Sequence, residues 1–160
     1  MILEIKPSDI PECVELIKSS FMTVADEFGF TAENAPRFTA FATTVERLEW
    51  QLHNENRLMF ACYDCNRIIG YYSLLMQKNR ECELNNLCVQ PSHRHNRIGE
   101  KLLLHASETA RQLGCNKINI GIVEENKRLR KWYEEHGFIH TGTQKFDFFP
   151  FTCGYMYKDI

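Results

Sequence analysis

Residues 83–103 constrain the chain more than any other stretch: Glu-Leu-Asn-Asn-Leu-Cys-Val-Gln-Pro-Ser-His-Arg-His-Asn-Arg-Ile-Gly-Glu-Lys-Leu-Leu. Up to Val89 the pattern has the period of a strand that begins near Glu81, and Pro91 stops it. From Ile98 the apolar residues Ile98, Leu102, Leu103, Ala106 and Ala110 take helical spacing, and Gly114 closes the run. Between them lies a short basic loop carrying His93, Arg94, His95 and Arg97. The first amides of a helix lack intrahelical acceptors and sit at the positive end of its dipole, so this junction is built for phosphate. Gly99 adds room for close approach to the backbone. No GxxxxGK[ST] and no GxGxxG occurs in the chain, which argues against a nucleoside triphosphate or dinucleotide fold.

The residues on either side of this segment set the fold class. Ile118, Ile120 and Ile122 alternate as a strand, completing a strand–helix–strand crossover. Asn126 then opens a helix through Leu129, Trp132 and Tyr133, ended by Gly137, and residues 138–157 form aromatic-rich strands turning near Pro150. Upstream, residues 2–6 alternate as a strand. Ser8 and Pro11 start a helix with Ile10, Val14, Ile17 and Phe21 on one face. The stretch 24–42, with Phe28, Phe30, Phe38 and Phe41 but no clean period, predicts a loop with a short helical piece. Thr43 or Thr44 caps a second helix, and residues 58–63 and 68–76 form a hairpin. The expected order is β-α-α-β-β-β-α-β-α-β-β. This is an α/β fold with a mixed, mostly antiparallel, twisted central sheet flanked by helices.

With 160 residues and no linker or repeat, 1–160 is expected to form a single domain. A formal net charge of −2 and no basic stripe argue against a nucleic-acid partner. No apolar run is long enough to span a membrane and no signal peptide is present, so a cytoplasmic location without membrane contact is expected. The odd count of 7 cysteines fits reduced thiols. Cys62 and Cys65 form one CxxC without a second pair. No metal is therefore expected, and the two read as one buried strand cysteine and one turn cysteine.

The segment around the basic loop resembles the signature of the GNAT N-acetyltransferase superfamily, Val-x-Pro-x-x-Arg-x-x-Gly-x-Gly/Ala before a helix. Val89, Pro91, Arg94, Ile98 and Gly99 fall in register with it. The family's second signature, an Asn opening a helix, a Tyr seven residues later and then Gly-Phe, is matched by Asn126, Tyr133, Gly137 and Phe138. One departure is Arg97, where the family carries its first glycine of the run. A side chain there restricts the backbone, and its guanidinium is a candidate donor to a phosphate oxygen.

The resemblance implies acetyl-CoA as co-substrate, lying in a V-shaped gap between the strands at 81–89 and 117–122. Its pantetheine arm would pair with Leu87, Cys88 and Val89. Its pyrophosphate would sit on the amides of Arg94, His95, Asn96, Arg97, Ile98, Gly99 and Glu100, with Asn126 opposite. One of Lys127, Arg128, Arg130 and Lys131 is expected at the 3′-phosphate. Catalysis would use Glu83 as base and Tyr133 as acid in a direct transfer. The implied acceptor is a primary amine on a small molecule or peptide, with Asp26 and Glu27 as candidate attractors for a cation, and the family allows a homodimer. The alternative is a non-catalytic acyl-CoA-binding or sensing module of the same shape. Cys88, His136 and His140 read as structural.

Overall fold

The computed structural model describes residues 1–160. Seven strands form one sheet: β1 (Ile2–Glu4), β2 (Arg57–Asp64), β3 (Arg67–Met76), β4 (Glu81–Val89), β5 (Lys117–Val123), β6 (Ile139–Lys145) and β7 (Thr152–Asp159). Their spatial order is β1-β2-β3-β4-β5-β7-β6. Every pairing is antiparallel except β4 with β5, the two strands joined by the crossover helix α4 (Ile98–Gln112). The remaining helices are α1 (Ile10–Phe28), the single turn α2 (Thr39–Ala42), α3 (Val45–Asn54) and α5 (Lys127–Glu135). No helix is long and apolar enough to cross a membrane.

The mixed, mostly antiparallel sheet matches the expected fold class, with two corrections in the region 24–42. Residues 24–28, expected in a loop, belong to α1. Phe21, Val24, Ala25 and Phe28 continue its helical period, and Gly29 ends it in the left-handed region at φ 72°. The neighbouring phenylalanines obscure that period in the sequence. The short helical piece is α2, which makes three helices rather than two before β2. Thr44, one of the two candidate caps, caps α3 by accepting from the Arg47 amide at 3.1 Å.

The sheet is covered on both faces. Leu102, Leu103, Ala106 and Ala110 of α4 and Tyr133 of α5 pack on Tyr72, Leu74, Leu84 and Ile118. Helices α1 and α3 pack Ile10, Val14, Ile17 and Leu48 on Met59, Ala61 and Tyr71. A smaller aromatic cluster joins Phe30 and Phe38 to Phe151 of the β6–β7 connection. Helix α4 approaches the sheet closely at Gly70, where a Cβ would meet Leu102 at 2.8 Å.

One irregularity in β4 sets up the site. Tyr71 pairs with Cys88 and Ser73 with Asn85, so Asn86 and Leu87 together oppose Tyr72. Asn86 takes φ 54° to make this bulge. A one-residue slip flips side chains across a sheet. Leu84 therefore packs with α4, whereas Cys88, four residues later, packs with α1. Strand β4 bends where its side-chain parity changes.

Candidate active site

The bend opens the sheet. Strands β4 and β5 pair only from Glu81↔Lys117 to Glu83↔Asn119 and then diverge. The rest of β4, including Leu87, Cys88 and Val89, faces a gap with no strand partner across it. A cleft of ≈ 620 Å³ fills this gap, bounded by α1, the basic loop and α5.

The loop that enters α4 supplies donors. The Arg94 amide bonds to the Pro91 carbonyl at 3.4 Å, and the Lys101 amide to the Arg97 carbonyl at 3.1 Å. Between them, the N–H groups of His95, Asn96, Arg97, Ile98, Gly99 and Glu100 make no hydrogen bond within the protein. Of the run Arg94–Glu100, the Arg94 amide alone is engaged within the loop. So is the Arg94 side chain. Its guanidinium donates to Thr23 Oγ1 and to the Ser20 carbonyl, both at 3.0 Å, and ties the loop to α1. Ser20 Oγ donates to the Val89 carbonyl at 3.1 Å, which closes the same corner from the other side.

His95 and Arg97 both take left-handed backbone, at φ 66° and 59°. Arg97 occupies a position that costs a non-glycine residue free energy, which accounts for the glycine in the signature it departs from. Its guanidinium does not reach into the cleft as a free donor. It forms a two-pronged pair with Glu100 at 2.7 and 3.0 Å. Asn96 departs further. Its side chain donates to the His93 carbonyl, and the residue lines a different groove and not the cleft.

Helix α5 forms the opposite wall. Asn126 caps it, its Oδ1 accepting from the Leu129 amide at 3.3 Å, which explains an Asn at this junction and leaves the side-chain NH₂ toward the cleft. Of the four basic residues of α5, Arg130 pairs with Glu124 and Glu134 and Lys131 with Glu135. Arg128 lines the cleft and pairs with Glu27 of α1 at 2.5 Å. Glu27 therefore belongs to this cleft and not to a separate cationic acceptor site. Trp132, which the motifs did not single out, lies over Gly99, where a Cβ would touch its ring at 3.6 Å.

A second cavity of ≈ 270 Å³ lies beyond the cleft, walled by Phe38, Phe149, Phe151 and Tyr155. Its only charged residues are Glu83 and Arg37. The Glu83 carboxylate accepts from Asn85 Nδ2 at 2.7 Å and from Gln77 Nε2 at 3.2 Å. The two cavities meet at Phe21, Val24, Leu87, Asn126, Leu129 and Tyr133, which line both. Tyr133 is buried as a residue and makes no side-chain hydrogen bond within the protein; since no fully buried polar side-chain atom lacks a partner, its hydroxyl is open to the cavity. Burial, with Cys88 nearby, raises its pKa well above the ordinary tyrosine value, so it stays a protonated donor. Burial likewise pushes the Cys88 thiol up to about 12, against smaller opposing effects of Ser20 and Arg94. It is a packed thiol and not a thiolate nucleophile.

Among the aromatic residues, Phe38, Phe149, Phe151 and Tyr155 line the second cavity, and Phe30 is core. His136 donates through Nδ1 to the Trp132 carbonyl at 2.7 Å and His140 Nε2 lies 2.8 Å from the Glu124 carboxylate, both as structural contacts. Cys62 is buried in β2 and Cys65 is exposed in the turn, both free.

The sequence profile described as Acetyltransferase (GNAT) family matches residues 20–138. An uncharacterised N-acetyltransferase of Mycobacterium tuberculosis (strain ATCC 25618 / H37Rv) is 26% identical over 114 residues, covering 71% of this chain and 73% of that protein. A thialysine N-epsilon-acetyltransferase of Bos taurus is 30% identical over 67 residues, 42% of this chain and 39% of that protein. Among solved structures, the PaiA N-acetyltransferase of Thermoplasma acidophilum in complex with coenzyme A superposes with a TM-score of 0.84 at 19% identity, covering 100% of this chain and 98% of that one.

Proposed function

Because the chain belongs to the acetyltransferase (GNAT) family, we propose that it moves an acetyl group from acetyl-CoA directly to a primary amine of a small molecule or peptide. The observation that carries this reading is the junction of the two cavities at Tyr133 and Leu87. One cavity has the donors for a diphosphate, the other a carboxylate and aromatic walls, and a protonated hydroxyl stands between them.

The residues fit acetyl-CoA. Six open amides, His95 to Glu100, offer donors to a diphosphate, whose oxygens would supply the acceptors a helix N-terminus lacks. On its β5 side the run Leu87–Val89 has no strand partner, which leaves that edge for an extended amide-bearing arm to use as an added strand would, apart from the Val89 carbonyl held by Ser20. Asn126 faces that arm from α5, and Arg128 is the basic residue of α5 that stands at the cleft.

Acetyl-CoA supplies the thioester, whose C–S bond breaks as the acceptor nitrogen bonds its carbonyl carbon. Glu83, its carboxylate fixed by Asn85 and Gln77, takes the proton the ammonium must lose, directly or through a water. A backbone N–H near Cys88 and Val89 polarises the carbonyl oxygen. Tyr133 gives its hydroxyl proton to the departing sulfur and is restored by the second proton, which the acylated nitrogen sheds as the amide forms. The bovine relative, named for acetylation at an ε-nitrogen, supports an amine as acceptor. The seven free cysteines fit a reducing compartment such as the cytoplasm.

The test is release of free thiol from acetyl-CoA on addition of primary amines, with the acetylated amine identified by mass spectrometry. Amine-dependent release supports transfer. Tight acetyl-CoA binding with no release for any amine leaves the binding-module reading instead.

A further inference from the structure

We infer that the acceptor is dipolar: it carries an anionic group, a carboxylate above all, in addition to the amine, on an apolar or aromatic body. This rests on the acetyl-transfer reading and narrows its acceptor.

The acceptor-side cavity contains one carboxylate, Glu83, and one guanidinium, Arg37, which lines it from the loop before α2. Neither charge is answered by the protein. Glu83 is held only by the neutral amides of Asn85 and Gln77. Arg37 has no carboxylate within ion-pair distance of its guanidinium, although the chain forms eight such pairs elsewhere. The two line one cavity without pairing with each other.

Arg37 is nevertheless held in place. Its guanidinium carbon lies 4.2 Å above the centre of the Phe148 ring. Phe148 stacks on Phe146 at 5.0 Å and meets Phe149 edge-on at 4.8 Å. Phe149 in turn stacks on Phe151 of the cavity wall at 4.5 Å. A cation on an aromatic face keeps its N–H fork free at the edges. Arg37 is exposed, so it stands at the rim of the cavity, where an unpaired guanidinium resting on Phe148 favours a carboxylate, which it binds through two parallel hydrogen bonds. The aromatic wall of the same cavity suits the apolar part of such a molecule. A polyamine fits poorly, because its second ammonium would lie in the field of Arg37.

Matched acceptors differing only in the carboxylate test this: phenylalanine against phenethylamine, ornithine against putrescine, and spermidine as a purely cationic probe. We expect kcat/KM to favour the carboxylate member of each pair by at least about tenfold. Arg37→Gln should collapse that ratio toward one, Arg37→Lys should restore part of it, and Arg37→Glu should turn it toward the diamines. Equal rates within each pair in the unaltered protein, or an Arg37→Gln variant that keeps the ratio, would overturn the inference. A merely structural Arg37 would lower both members of a pair together, and that outcome also counts against it. Turnover of amines with no carboxylate preference leaves the acetyl-transfer reading intact and removes only this one. Failure of acetyl-CoA to bind removes both.

Discussion

Asn85 donates through Nδ2 to Glu83 Oε1 at 2.7 Å while its own Oδ1 accepts from the buried guanidinium of Arg57 at 2.9 Å. Arg57, fixed by Glu55 at 2.5 Å and by Ser73 at 3.0 Å, thereby sets which way the Asn85 amide faces. The carboxylate proposed as base is aimed by a neighbour whose orientation is decided by a residue of another strand, a direct consequence of the i, i+2 spacing on one face of β4.

Glu83→Gln should lower kcat by about 10²-fold, the lower end of what a positioned base contributes, and flatten the acid limb of the pH–rate profile. Asn85→Ala should give a smaller loss with the acid limb retained, since it removes only the aim. Steady-state rates across pH check both. A Glu83→Gln enzyme with the unaltered profile would remove Glu83 as the base.

Tyr133→Phe should reduce kcat by about 10²-fold with acetyl-CoA affinity unchanged within about twofold, because only the proton donor is lost. The raised pKa adds a sign. The hydroxyl stays protonated through alkaline pH, so no alkaline limb from Tyr133 should appear in the unaltered enzyme. Single-turnover rates with calorimetric affinities test this, and equal rates for the two proteins would contradict it.

The Cys88 thiol, with its pKa pushed up to about 12, carries almost no thiolate at neutral pH. Incubating the enzyme with acetyl-CoA and no acceptor should leave its intact mass unchanged. A mass gain of one acetyl group on Cys88 would replace direct transfer by an acyl-enzyme route.

His105 gives a pH dependence of stability. Its Nδ1 lies 2.6 Å from the Tyr72 hydroxyl, and burial lowers its pKa against a smaller opposing effect of Glu108. A depressed histidine pKa means that the unfolded chain binds more protons just below the ordinary value of 6.5. Stability from this site is full above that pH and declines as pH falls through the folded-state value. Thermal melts from pH 7.5 to 5 should show Tm falling on the acid side, less steeply in His105→Gln.

Arg97 and Glu100 make a prediction about the cradle. Glu100→Gln frees the Arg97 guanidinium and removes an anion beside the six open amides. Acetyl-CoA should bind several-fold more tightly at low ionic strength, with the gain fading at high salt. Arg97→Gly should raise Tm by a few degrees by relieving left-handed backbone, while weakening binding because it leaves the Glu100 carboxylate unpaired beside the amides. Calorimetry at two salt concentrations, with melts of both variants, checks the pair.

Much of the cleft was legible in the residues. The period changes at 89–98 and 123–126 located the two loops that build it, because a strand stopped by Pro91 and a helix opened by Asn126 are local signals. The β4 bulge was not legible: Asn86 is an ordinary strand residue by its neighbours, and only pairing with β3 shows that it stands beside Leu87 opposite Tyr72. The ion pairs of Arg97 with Glu100 and Arg128 with Glu27 also escaped, the second because its partners are 101 residues apart. Arg37 carried no motif, and its position over Phe148 depends on two loops meeting in space.

Acetyl transfer from a cofactor seated on the α4 cradle is tested most directly by isothermal calorimetry of the protein with acetyl-CoA and, in parallel, with S-acetylpantetheine, which lacks the diphosphate. The expected result is micromolar binding of acetyl-CoA and at least about 10²-fold weaker binding of the shorter thioester, since the His95–Glu100 amides are left without a partner. Equal affinities, or no binding of acetyl-CoA at millimolar concentration, would contradict it.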